Sequence, residues 1–414
     1  MVSSRHSKGY AHSAVLFLAL LLVPAVALAA GADPASQTQA EGQTASEEQW
    51  TLAVTSDGNG HVYVLYPQFD RLPGCRDCPV PNMVLAASSD SGASWQARLM
   101  TPPLWSQADP QIVVDPEDHR TVYATWLQNG KTDVIVAKST DFGQSWSLAI
   151  AARLAVPVVK PVLAVREKNV YAGFIHTQKL WVAASHDGGI SFGPAVETLS
   201  APLNDALSGN AVMDPAGNAF FAWTGYASNA GTKGQINLYI SKSSDHGQSW
   251  ATTLMDVSAE PADCTAYHCE WGYLGAQITI ATDSTGALYA LWNSSAADSG
   301  TERIFLASST TQGDTWSPKE DVSSAPVGVK HVLPTIAARA SGNVRIGWMD
   351  SRHSPLWTAY DRVSTNGGAT WSPEETIPAA TAGPKYFRLP AFNFAAGSDF
   401  SYSVTSPPVK SASR

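Results

Sequence analysis

The chain has 414 residues, of which 15% are charged and 44% hydrophobic, and its formal net charge is −9. That acidic balance argues against nucleic acid or an anionic membrane surface as a partner, because both reward a basic face. The length would serve two average domains, but a repeated motif decides the organisation instead.

Residues 1–29 read as an export signal. Arg5 and Lys8 give a basic start, Ala14 to Ala29 is an apolar run, and Ala27-Leu28-Ala29 is an A-x-A cleavage site. The mature chain is expected to begin near Ala30, outside the cytoplasm, secreted or periplasmic, with a net charge of about −11 once Arg5 and Lys8 are gone. No cysteine stands directly after the cleavage site, so a lipid anchor there is not expected, and no later apolar run is long enough for a membrane span. Residues 30–49 are small and polar, without apolar periodicity, and are expected to form a disordered leader.

From residue 50 to 406 the sequence repeats itself. Pairs of strand-like runs joined by Gly, Asp and Asn turns recur, as in "WTLAVTSDGNGHVYVLY" and "QITIATDSTGALYALWN". Each is followed by a third run and then by a box of the form S-x-D-x-G-x-[ST]-W. Six boxes start at Ser88, Ser139, Ser185, Ser243, Ser309 and Ser364, with Phe192, Thr311 and Asn366 as departures from the pattern. Their central glycines are 51, 46, 58, 66 and 55 residues apart, the period of a propeller with one unit per blade. In each box the Asp can accept backbone N–H groups, Gly supplies a positive φ and Trp wedges between sheets, so the box predicts a stapled turn between two outer strands. The predicted fold is an all-β propeller of four-stranded blades. A seventh inner hairpin, Leu389 to Ser406, has no box. It favours seven blades with an incomplete last one, six blades being the alternative, and residues 407–414 form a tail.

If the boxes join the third and fourth strands on one face, the connections from second to third strand and from one blade to the next emerge on the other. Propeller ligands sit where such loops converge. That face would offer Asp70, Arg71, Asn293, Asp350, Arg352, His353, Trp105, Asp109, Glu270, Trp271, Tyr273, Lys330, His331 and Arg388. For Asp70 and Asp350 a solvated or turn-capping carboxylate is the ordinary role. For Trp105 and Trp271, core packing and sugar stacking are both open.

The boxes resemble the Asp-box, or bacterial neuraminidase repeat, of the sialidase superfamily, over nearly all of the mature chain. Asp boxes in that superfamily lie on the outer rim, so the resemblance speaks to fold more than to chemistry. It implies three arginines for a substrate carboxylate, a Tyr–Glu nucleophile pair and an Asp acid/base. Phe387-Arg388-Leu389-Pro390 matches the F-R-I-P context of the superfamily's first arginine, although it follows the last box. Arg352 and Arg71 would complete the arginine set, Glu270 with Tyr273 the nucleophile pair, and Asp70 the acid.

Cys75-x-x-Cys78 and Cys264 with Cys269 are expected to be two local disulfides, the simplest of three connectivities in an exported chain. A shared zinc site would need blades 1 and 5 to be neighbours, and a thioredoxin-like role would need a βαβ context. No metal or cofactor is expected. The sequence therefore points to an exported, monomeric propeller that recognises a glycan or a surface protein as a binding or scaffold module. The alternative is an exo-α-sialidase-like hydrolase acting on acidic terminal sugars.

Overall fold

The computed structural model describes residues 53–69, 75, 77–227, 234–259, 275–295, 301–353, 356–382, 392–395 and 401–404. They form six four-stranded antiparallel blades and one two-stranded sheet. Blade 1 is β1 (Ala53–Ser56), β2 (Val62–Gln68), β3 (Asn82–Ser88) and β4 (Gln96–Leu99). Blade 2 is β5 (Ala108–Val114), β6 (Val122–Gln128), β7 (Asp133–Ser139) and β8 (Ser147–Arg153). Blade 3 is β9 (Val159–Arg166), β10 (Asn169–His176), β11 (Lys179–Ser185) and β12 (Val196–Glu197). Blade 4 is β13 (Asp205–Met213), β14 (Ala219–Tyr226), β15 (Ile236–Ser243) and β16 (Ala251–Ser258). Blade 5 is β17 (Ile278–Thr282), β18 (Leu288–Ser294), β19 (Arg303–Ser309) and β20 (Glu320–Asp321). Blade 6 is β21 (His331–Ala338), β22 (Val344–His353), β23 (Leu356–Ser364) and β24 (Glu375–Ala382).

The remaining hairpin, β25 (Phe392–Ala395) with β26 (Ser401–Val404), lies beside β1 and β21, the inner strands of the first and last blades. The structure therefore matches the six-bladed alternative. The favoured seventh blade is not confirmed, because the described residues supply only two strands there and no box follows them.

The second strand of each blade is sandwiched between its neighbours, so it is apolar on both faces instead of alternating. All eight residues of β14 are buried. Trp126, Trp223, Trp292 and Trp348 occupy matching places in β6, β14, β18 and β22 and are fully buried. They fill the seams between blades, as Trp126 does with Tyr63, Leu65, Leu85 and Ile135. Burying an aromatic side chain of this size dominates local packing energetics.

The box turns follow one pattern. In blade 2, Ser139 Oγ donates to Asp141 Oδ1 (2.7 Å) and accepts from Gly143 N (2.8 Å), while Ser145 N donates to Asp141 Oδ1 (2.9 Å). Trp146 Nε1 closes the turn on Gly143 O at 3.0 Å. The bond from glycine N–H to serine hydroxyl recurs in all six boxes at 2.8–3.0 Å, including those where Thr311 and Asn366 replace Asp. In blade 1 the hydroxyls of Ser94 and Ser88 hold the Asp90 carboxyl down to about 2. The boxes of blades 2 to 6 also pack on the preceding blade: a Cβ on Gly247 would lie 3.0 Å from the Tyr171 ring, and one on Gly313 2.9 Å from Phe220. Glycine is needed there for space as well as for its φ of about 80°.

Candidate functional site

Backbone bonds tie the box turns to the inner hairpin turns, as in Ser91 N to Gly60 O (2.8 Å) and Gly367 N to Gly342 O (2.9 Å). Both sets of turns therefore share one face, and the opposite face is left to the second-to-third-strand and blade-to-blade connections. The box turns and the blade-to-blade connections differ in charge. Asp90, Asp141, Asp187, Asp245 and Asp314 stand on the box side, whereas the described blade-to-blade connections 100–107, 154–158, 198–204 and 322–330 contain one charged residue, Lys330. On that second face β5, β9 and β21 open at Asp109-Pro110, Lys160-Pro161 and Leu333-Pro334, where the first residue has a φ of 53–55°. The proline removes a ladder donor, and the pairing register of the inner hairpin shifts at each of these points.

Between blades 1 and 2 this face carries an apolar platform. Leu104, Trp105 and Val80 are 70%, 49% and 39% exposed. The chain beneath them is braced. Gln107 N donates to Pro81 O (2.8 Å), the Gln107 side chain accepts from Met83 N (2.7 Å) and donates to Thr101 Oγ1 (2.8 Å), and Leu104 N donates to Pro102 O (2.8 Å). Asn82 Nδ2 donates to Pro79 O (2.9 Å), and Cys75 and Cys78 form the expected local disulfide. Trp105 thus lies on the expected face with half its surface in water. The bracing residue Gln107 was not anticipated, since no local pattern marks a glutamine that caps two loops at once.

Between blades 5 and 6 the same side of the molecule buries a cluster of ionisable groups. Asp350 is fully buried and accepts from Arg352 Nε (2.9 Å) and Nη2 (2.5 Å) and from Trp348 Nε1 (3.3 Å). Arg352 Nη1 lies 2.7 Å from Glu374 Oε2, its guanidinium covers the Tyr360 ring at 3.8 Å, and Glu374 accepts from Ser324 N at 2.6 Å. These bonds link blade 6 to the connection that leaves blade 5. His331, also fully buried, has Nδ1 2.7 Å from Glu302 O and Nε2 4.0 Å from Asp350 Oδ2. Burial pushes the Glu302 carboxyl up to about 7 and lowers the His331 imidazole. The structure therefore brings Asp350, Arg352 and His331 together and adds Glu302 and Glu374. The Thr301-Glu302-Arg303 charge pair at the start of β19 is the one sequence signal that marks Glu302; nothing local marks Glu374.

Asp70, Arg71, Glu270, Trp271, Tyr273, Arg388, Cys264 and Cys269 lie outside the described residues. A cleft of about 240 Å³ lined by Met255, Asp256, Trp292, Trp316 and Lys319 sits on the flank between blades 4 and 5, away from the candidate face. Among the described residues no group of three or more His, Cys, Asp or Glu is arranged to hold a metal, and no helix is long and apolar enough to cross a membrane.

No known family and no curated protein matches the chain. Solved structures do. An ulvan lyase from a new polysaccharide lyase family is 11% identical over 83% of this chain and 86% of its own, with a TM-score of 0.50. An α-L-arabinofuranosidase of Fusarium graminearum is 15% identical over 74% and 90%, with a TM-score of 0.45. A Hadza microbial sialidase is 14% identical over 86% and 65%, with a TM-score of 0.41. At 11% identity the likeness to the ulvan lyase speaks to the fold alone, and the chemistry is left to the residues.

Proposed function

We propose that this chain is an exported, sialidase-like Asp-box propeller that recognises glycans on the face opposite its box turns, as a binding module. The observation that carries this reading is Trp105, half exposed on a braced, uncharged loop of that face. An indole presents a flat, polarisable surface that suits the C–H face of a pyranose, and a loop fixed beforehand loses little freedom on binding. The box turns support it by contrast, since their polar groups are consumed in their own hydrogen bonds. The ulvan lyase, a polysaccharide-acting protein of the same fold class, is in keeping with it. Export is supported by the Cys75–Cys78 disulfide.

The catalytic alternative is an exo-α-sialidase-like hydrolase in which Arg71, Arg352 and Arg388 hold the substrate carboxylate, Asp70 is the acid, and Tyr273 with Glu270 the nucleophile pair. The two carboxylates already on Arg352 weigh against it. The test screens the mature protein and Trp105→Ala on a glycan array and, in parallel, for release of a fluorophore from α-linked sialosides and neutral glycosides. Binding that Trp105→Ala weakens at least tenfold, without turnover, is expected. Turnover would install the hydrolase, and an empty array would remove the glycan reading.

A further inference from the structure

We infer that the glycan taken by this face is neutral, not a sialylated, uronic or sulfated sugar; the inference rests on the glycan-binding reading above. Its basis is the state of the cations on that face. An anionic sugar is held by guanidinium or ammonium groups that still have donors to give, in charge-assisted and often bidentate bonds. Among the described residues each such cation is already engaged by the protein. Lys131 lies 3.4 Å from Asp109, Arg153 2.9 Å from Asp133, Lys179 2.7 Å from Glu197 and Arg303 2.8 Å from Asp321. Arg352 is shared by Asp350 and Glu374, and Lys160 and Lys330 have partners of their own.

An incoming carboxylate or sulfate would compete with the internal acid at each of these cations, and displacing Asp133 or Asp350 would leave a buried carboxylate without its cation. The exchange swaps one ion pair for another and adds that desolvation penalty. The formal charge of −9 opposes anion approach as well. A neutral glycan meets none of these costs. It can lay apolar ring faces on Trp105, Leu104 and Val80; the neighbouring connections 100–107 and 154–158 carry no charged residue, and Asp77, exposed in the connection that holds Val80, is an acid.

The experiment titrates the mature protein with neutral probes (cellohexaose, laminarihexaose, mannohexaose) and anionic probes (3′-sialyllactose, a hyaluronan octasaccharide, an oligogalacturonate) at 50 and 500 mM NaCl. Trp105→Ala and Trp105→Phe are run beside it. The expected result is binding of at least one neutral probe, with every anionic probe at least tenfold weaker and less than a twofold change with salt. Trp105→Ala should lose that binding and Trp105→Phe retain most of it. An anionic probe that binds more tightly than any neutral one, and weakens as salt rises, overturns the neutral assignment while leaving the binding module standing. Binding of none of the six overturns this inference, and an empty array in the broader screen removes the glycan reading with it.

Discussion

The platform between blades 1 and 2 and the buried cluster between blades 5 and 6 open toward the same face, yet they are built in opposite ways. The platform has almost no ionisable groups, and its polar bonds run beneath the surface, through Gln107 and Asn82, so its apolar side chains are held outward. The cluster is rich in the residues that catalysis uses, but Asp350, Arg352 and Glu374 spend their bonding capacity on each other. Chemical potential in a residue type is thus a poor guide to a site when its partners are already present. What remains exposed and held in place is the better guide.

The sharpest way to break this contrast is Asp350→Ala. It strips the buried partner from Arg352 and from Trp348 Nε1, and breaking a buried ion pair costs about 3–5 kcal/mol. Urea unfolding should register that loss, and a change below about 1 kcal/mol would mean that the cluster is not structural.

Glu302 sharpens the same point through pH. Its carboxyl is raised from 4.5 to about 7 by burial, so the folded state keeps a proton that the unfolded state releases. Its contribution is fully present below about pH 4.5 and is lost as the pH rises to about 7, on the order of 3 kcal/mol in all. His331, lowered by burial, acts the other way: its contribution is present above pH 6.5 and lost as the pH falls. Glu302→Gln should flatten the decline between pH 5 and 7.5 and leave the histidine limb in place. An unchanged pH profile would show that the carboxyl is hydrated in solution.

A smaller effect is expected on the other face. Ser139→Ala orphans the buried Gly143 N–H, at about 1–3 kcal/mol, and should cost more than Asp141→Ala, whose bonds to Ser145 are exposed. Thermal unfolding of the two variants gives the order, and the reverse order would place the staple in the carboxylate. Smallest of all in stability is Trp105→Ala, within about 0.5 kcal/mol because the indole is half in water, although glycan binding should fall at least tenfold. A large loss of stability would turn Trp105 into a packing residue and remove the platform.

The inner hairpins, the six box turns and the face left for loops were all legible in the residues themselves. A box closes on atoms no more than four residues apart, from Ser139 to Gly143 or Asp141 to Ser145, so its chemistry is written locally. The period of the boxes then fixes the blades. Three things were not local. Glu374 meets Arg352, a candidate substrate arginine, across blade 6, 22 residues on in the chain. Glu302 meets His331 only because blades 5 and 6 adjoin. Trp105 is exposed while Trp126, Trp223, Trp292 and Trp348 are buried, a difference set by what the neighbouring blade places against each ring. Turn chemistry depends on nearby covalent neighbours, and the sequence by itself determined it; exposure and pairing depend on residues far apart in the chain, and only the closed ring of blades decided them.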